Sequence, residues 1–422
     1  MSSNRRNRQA IIRTAGHARH PMLPVPAPLR RALALAFAAS LAACGGSMDD
    51  DTGADATLVA QGREIFRHDT FGDESLWSDT LRMHEVIEAA VDPLTALAVG
   101  LKVDVDALPD DLRAAIASGA ADLASPATTL SLIALDAVVG IRGTVEEAGG
   151  ANRLARVGIT CALCHSTVDD SFAPGIGHRL DGWPNRDLDP GAIIALSPAL
   201  DPATRALYAG WGKGRFDPRF NVDGLDSPVL IPPAYGLDGV HSVTYTGDGD
   251  EIRYWNRYVA VVEMGGHGRF VEPRLNLDIR NGDDDLVSDK LAALEAYQLS
   301  LAAPAPAPGS FDAAAAARGA QLFAGSAGCA TCHAGPLLTD ANQRLHPAAD
   351  SAAEPEMPSY ASRSASGQYR TTPLRALWQH PPYFHDGSAA TLEAVVRRYD
   401  ARGALQLSDG EIADLVEYLK SL

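Results

Sequence analysis

The sequence predicts a mainly α-helical chain of two tandem units, the first lengthened by a long helical insertion. Three observations predict it. The pattern C-x-x-C-H occurs twice, at Cys161, Cys164 and His165 and at Cys329, Cys332 and His333. A segment ahead of each motif repeats, "QGREIF" (61–66) against "RGAQLF" (318–323), aligning Gly62 with Gly319 and Phe66 with Phe323. A closing segment repeats without gaps, "LAALEAYQLSL" (291–301) against "IADLVEYLKSL" (412–422), aligning Leu294 with Leu415 and Tyr297 with Tyr418. Self-similarity at this spacing marks an internal duplication.

The first 44 residues read as an export signal. Arg30 and Arg31 precede the apolar stretch "ALALAFAASLAA", and Leu41-Ala42-Ala43-Cys44 resembles a bacterial lipobox. That resemblance implies a lipid thioether on Cys44 and a periplasmic protein tethered to a membrane only by its lipid, favouring the outer over the inner membrane. Residues 1–21 sit oddly ahead of such a signal, and Met22 is the expected start. Residues 45–57 form an acidic tether. The segment ahead of Cys44 holds seven Arg and no acidic residue, so the chain from Cys44 onward carries 29 basic against 53 acidic groups, near −24. Such a surface repels nucleic acid and suits a protein partner with basic patches. No run of eighteen apolar residues points to a membrane span.

Cys44 apart, all cysteines lie in the two motifs, and none is left for a disulfide framework. C-x-x-C-H is the attachment pattern of haem c. Two thiols about a helical turn apart reach the two vinyl groups of one haem, and the adjacent His lies under the iron. Zinc and a redox dithiol are the rivals. Zinc fits poorly with motifs 168 residues apart, each with its own trailing His, and a dithiol explains neither the His nor its repetition. The expectation is two covalently bound haem c groups.

First helix, motif, loops and last helix, in that order, make a cytochrome c-type domain. The first spans 58–301 and the second 310–422, joined by the stiff "AAPAPAPG" linker at 302–309. Ser408 and Glu411 predict a capping box on the last helix. Gly319 lies ten residues before Cys329 but Gly62 lies 99 before Cys161, which sets the insertion at about 67–157. Within it, "LWSDTLRMHEVIEAAV", "LPDDLRAAIASGAADL" and "TTLSLIALDAVVGI" read as helices capping the first haem.

Downstream of each motif a loop repeats, with Tyr383, Asp386 and Gly387 matching Tyr245, Asp248 and Gly249. Within it His385 stands opposite Gly247. If this loop faces the iron, His385 closes the second haem and Gly247 leaves the first open to peroxide or oxygen. Met357 and His380 compete with His385 as sixth ligand, and His385 reads equally well as a turn histidine. Chemistry at an open haem needs an acid–base group, and His84, Glu85, His241 and Glu263 are the candidates. Trp211 and Trp255 are candidates to couple the two haems.

With "TTPLRALWQHPPYFHDGSAATLEAVV" added to the two motifs, residues 58–422 resemble the bacterial di-haem cytochrome c peroxidase family, which includes MauG-type enzymes. The resemblance implies an oxidoreductase in which the His333 haem relays electrons from a small cytochrome or cupredoxin donor to a reactive His165 haem. It also implies calcium between the domains, for which "NGDDD" (281–285) is a candidate that equally suits a helix cap. The insertion departs from the family, and related proteins oxidise protein side chains or cleave hydrocarbons with oxygen. A membrane-tethered electron carrier without catalysis is the alternative reading.

Overall fold

Two helix crossings of the same design organise the computed structural model, which describes residues 55–352 and 359–422. In the first, helix Ala56–His68 crosses helix Leu291–Ser300; in the second, helix Ala313–Ala324 crosses helix Asp409–Lys420. Glycine at the crossing point lets the backbones touch. A Cβ on Gly62 would lie 1.8 Å from the Ala293 carbonyl oxygen, and one on Gly319 would lie 2.0 Å from that of Asp414. One turn on, Phe66 meets Tyr297 edge-on at 5.5 Å, and Phe323 meets Tyr418 at 5.2 Å. The aligned residues thus do the same work in both units. Gly62→Ala and Gly319→Ala should each force the helices apart and destabilise the fold by about 1–3 kcal/mol. Denaturant titration against wild type measures this, and an unchanged midpoint would refute the close-approach role.

Local chemistry starts these helices. Asp55 accepts from the Thr57 amide, Asp312 from those of Ala314 and Ala315. Ser408 and Glu411 form the expected capping box.

The insertion holds helices Met83–Ala90, Asp110–Ala117 and Pro126–Ala134 within the three segments expected to be helical, the first of them broken at Arg82 (φ 57°), and a fourth, Pro93–Ala98, that was not expected. It also holds an unforeseen antiparallel hairpin, Ile141–Ala148 with Ala151–Ile159. The segment "TTLSLIALDAVVGI" is therefore not one helix. Asp136 takes a left-handed conformation (φ 54°), and the β-branched residues after it pair as strand. Gly149 and Gly150, both at positive φ, make the tight turn. Gly140 begins the hairpin pressed against Leu163, where a Cβ would sit 2.2 Å from the Leu163 backbone. The insertion is thereby fastened onto the first C-x-x-C-H loop.

Three main apolar cores result. One fills the insertion around Trp77, Leu132, Ile133 and Leu154 and includes Leu163. One lies under the first crossing around Phe66, Tyr258 and Leu294, and one under the second around Phe323, Leu392 and Leu415. Asp73 sits fully buried beside the first two, with both carboxylate oxygens 3.2–3.3 Å from the Ile159 amide nitrogen. Burial pushes its pKa up to about 9. A carboxyl raised by folding stabilises the protein only while protonated. That contribution is full below pH 4 and fades as pH climbs toward 9, at a slope of up to about 1.4 kcal/mol per pH unit. Asp73→Asn should flatten the fall in stability between pH 5 and 8. Equal slopes in both proteins would refute this.

Candidate haem-binding sites

The first motif enters the short helix Ala162–His165 directly from the hairpin, with the Thr160 amide bonded to the Gly140 carbonyl. Burial pushes the Cys161 and Cys164 thiols up to about 12, with Asp69 adding to the first and Glu263 to the second. Thiols held so firmly protonated are poor nucleophiles, which weighs against a redox dithiol. All four motif thiols are free, and among the described residues the two motifs do not converge into one metal cluster.

Each motif histidine is held in the tautomer a metal ligand needs. His165 Nδ1 lies 3.1 Å from the Pro232 carbonyl oxygen, and His333 Nδ1 lies 3.1 Å from that of Leu338. Burial lowers both, His165 to about 4. A neutral ring donating through Nδ1 leaves the Nε2 lone pair free for iron.

Haem also carries two propionates, and the protein holds unpaired donors for anions. Arg186 Nε and Nη1, Arg370 Nε and Trp378 Nε1 are buried with no hydrogen-bond partner. Neither arginine is paired with a carboxylate; Arg186 meets the His380 carbonyl and Arg370 that of Ser242. Burial lowers both, Arg370 to about 10. Arg186 is also close enough to lower His165. Buried cations without counter-ions are costly unless something anionic joins them. These residues fit a haem with its acid groups directed inward.

Of the acid–base candidates, the structure brings Glu263 to the first motif. It ends the π-helical turn Val259–Glu263, a local irregularity common at functional sites. Both carboxylate oxygens are buried without a hydrogen-bond partner, because the nearby Tyr258 hydroxyl donates to the Pro218 carbonyl. Burial, opposed by Tyr258 and Arg219, raises its pKa well above the usual range. Glu85 lies instead on the surface, paired with Arg82 at 2.6 Å and lowered by it. His241 is exposed, with its amide bonded to Asn342. His84 is half-buried in helix Met83–Ala90, its Nδ1 unpartnered.

The paired loops differ in more than one residue. Gly247 has φ 58°, a backbone conformation that strains any residue with a side chain, and a Cβ there would press on the Leu345 side chain at 2.6 Å. Asp248 is buried and bound to Arg219 and the Ser366 amide, whereas its counterpart Asp386 caps the Ser388 amide. His385 lies among tyrosines: stacked on Tyr360 at 5.9 Å, 5.0 Å from the Tyr369 ring, with Nε2 3.3 Å from the Tyr369 hydroxyl. Its carbonyl accepts from Leu230 of the first unit. His380 is buried against Tyr383 and lowered to about 4 by burial and Arg186. Met357, Cys44 and Met22 lie outside the described residues.

Sequence reasoning missed two features. Tyr399, on helix Leu392–Gly403, is exposed, yet it lies close enough to Cys329 and Cys332 that both thiols add to an upward shift of its phenol. Trp183, next to the Gly182 amide that binds the His165 carbonyl, meets Trp378 of the second unit edge-on at 6.0 Å. Trp211 packs with Tyr208, Phe216 and Phe220, and Trp255 with Tyr254 and Tyr258; both pairings stay within the first unit. In "NGDDD", Asp285 accepts from the amides of Val287 and Ser288, just ahead of the helical turn Ser288–Lys290.

Residues 316–422, which contain the second motif, match the cytochrome c family. The C-terminal unit is a cytochrome c domain. Cys329, Cys332 and His333 lie within this matched segment. The chain is also related to cytochrome c peroxidase and MauG-type proteins. It is 31% identical over 151 residues to cytochrome-c peroxidase IdrP1 of Denitromonas iodatirespirans, covering 26% of this chain and 40% of that protein. It is 33% identical over 122 residues to methylamine utilization protein MauG of Methylorubrum extorquens, covering 25% of this chain and 34% of that one. The chain thus matches less than half the length of either relative. A solved MauG-like protein associated with microbial copper homeostasis aligns over 47% of this chain and 74% of its own at 21% identity, with a TM-score of 0.32. No described helix is long and apolar enough to cross a membrane.

Proposed function

We propose that the chain is an exported di-haem oxidoreductase of peroxidase type, with the cytochrome c domain feeding electrons to the first motif. The observation that carries this reading is Glu263, a buried carboxyl without a hydrogen-bond partner, close enough to Cys164 to raise its thiol. The second motif has a tyrosine, Tyr399, near its thiols instead. Haem at the first motif would supply the redox chemistry that takes peroxide, two electrons and two protons to two waters. The protein's part is proton handling. Burial favours the protonated form of Glu263, which can donate its proton to the departing oxygen, whose bond to its neighbour then breaks more easily. Arg186 and Arg370 would seat the acid groups of the cofactor, and the neutral His165 and His333 rings would ligate the irons. The Trp183–Trp378 contact gives a short aromatic step between the units. A small redox protein with basic patches would dock on the acidic surface, and Cys44 would carry the lipid anchor.

The test is electron paramagnetic resonance of the holoprotein together with peroxide turnover. One ligand-accessible haem and measurable turnover are expected. Two identical six-coordinate low-spin haems, closed in every redox state and without turnover, would leave a membrane-tethered electron carrier.

A further inference from the structure

The insertion packs around a partly open apolar cavity of about 70 Å³, which Ile193 and Leu196 help to line. Its walls come from the insertion's helices (Met83, Ala96), from the hairpin and the approach to it (Val138, Val157), and from Leu163. Leu163 lies between the two thiols of the first motif, so the chamber backs directly onto that attachment loop. The second unit has only nine residues between Gly319 and Cys329 and nothing from which to build such a chamber. Protein interiors are close-packed, and voids of this size are few. This one stands in the segment that most distinguishes the two units.

The lining decides what can enter. Thr129 is the one polar residue among it, and its hydroxyl has no hydrogen-bond partner. A trapped water needs two to four polar partners and would find at most one. The space suits a few heavy atoms without donors or acceptors. Hydrogen peroxide, which donates and accepts at both ends, is excluded on the same ground. We infer that this cavity is a binding site for a small apolar gas of dioxygen's size, beside the first haem-attachment loop. This goes beyond the peroxidase reading and does not depend on it, since the site is defined by the walls alone.

Xenon is the probe, because it has the right size and no polar demand. In crystals of the holoprotein under xenon pressure, one ordered xenon should occupy the chamber. In solution, ¹²⁹Xe shifts should report one saturable site. Ala96→Val and Ala96→Leu fill the space in two steps and should weaken xenon binding progressively, more than tenfold for leucine. Two graded variants keep the comparison intact if the larger one fails to fold. Thr129→Val keeps the shape, removes the hydroxyl, and should bind xenon at least as tightly as wild type. No xenon in the chamber of the wild-type protein, or equal binding by wild type and Ala96→Val, would overturn the inference. Peroxide turnover measured on the same samples separates failure here from failure of the peroxidase reading.

Discussion

Glu263→Gln is expected to lower peroxide turnover by about 10²- to 10⁴-fold while leaving haem attachment unchanged. The argument rests on what the substitution does not disturb. Glu263 is buried, and burial raises its pKa well above the usual carboxyl range, favouring the protonated form. Glutamine keeps its size and neutrality and removes only the transferable proton. Folding stability should therefore stay the same, and so should the haem absorption bands, because no atom of the C-x-x-C-H loops changes. Turnover should fall through kcat. In wild type, activity should also decline as pH rises through the raised Glu263 pKa, since the donor is then lost, and that alkaline limb should vanish in the variant. Glu85→Gln is the control. Its carboxylate is exposed and paired with Arg82, and its loss should leave turnover unchanged. Turnover by Glu263→Gln within about threefold of wild type would remove Glu263 from the chemistry and with it the main support for catalysis.

The two helix crossings were legible because each is written in local terms. A small residue at one position, an aromatic a turn later and an amphipathic closing helix are visible in short windows, and they recur. The two C-x-x-C-H motifs were legible because their spacing is local and repeats. The hairpin was missed although Gly149-Gly150 marks its turn. The apolar run ending at Ile141 suits a buried helix as well as a strand, and only Asp136 at positive φ breaks the tie. Glu263 carried a weak signal, a single carboxyl after "VAVV". Its importance comes from what does not reach it, and that depends on the whole fold. The Trp183–Trp378 contact had no local signal, since the two indoles are 195 positions apart in the chain. The same holds for the ion pairs between the units.

Those ion pairs lead to the second large effect: Arg363→Met should destabilise the protein by about 3–5 kcal/mol. Arg363 belongs to the second unit, yet its guanidinium is spent on the first. It meets Asp217 at 2.9 and 3.1 Å, Asp223 at 2.7 and 2.8 Å, and the Leu225 carbonyl at 2.9 Å. Asp217 is fully buried, so removing its partner strands a carboxylate with only the Arg219 and Ser227 amides to hold it. Next to it, Arg219 binds Asp248 and lies between the rings of Trp255 and Tyr360, at 5.7 and 5.4 Å. One cation thus reaches from each unit into a shared buried cluster, and Tyr360 in turn stacks on His385. Arg363→Lys should rescue little, because a point charge cannot serve two carboxylates and a carbonyl with a planar fork. The double variant with Asp217→Asn should be more stable than the sum of its parts, since the stranded charge is gone. A denaturation midpoint for Arg363→Met within about 1 kcal/mol of wild type would mean that apolar contact alone joins the units. If the loss is as large as expected, the clamp also fixes the distance between the two attachment sites. If the proposed function holds, Arg363→Met should then slow electron transfer from the second site to the first even where the protein remains folded, which rapid-mixing absorption measurements on the holoprotein would detect.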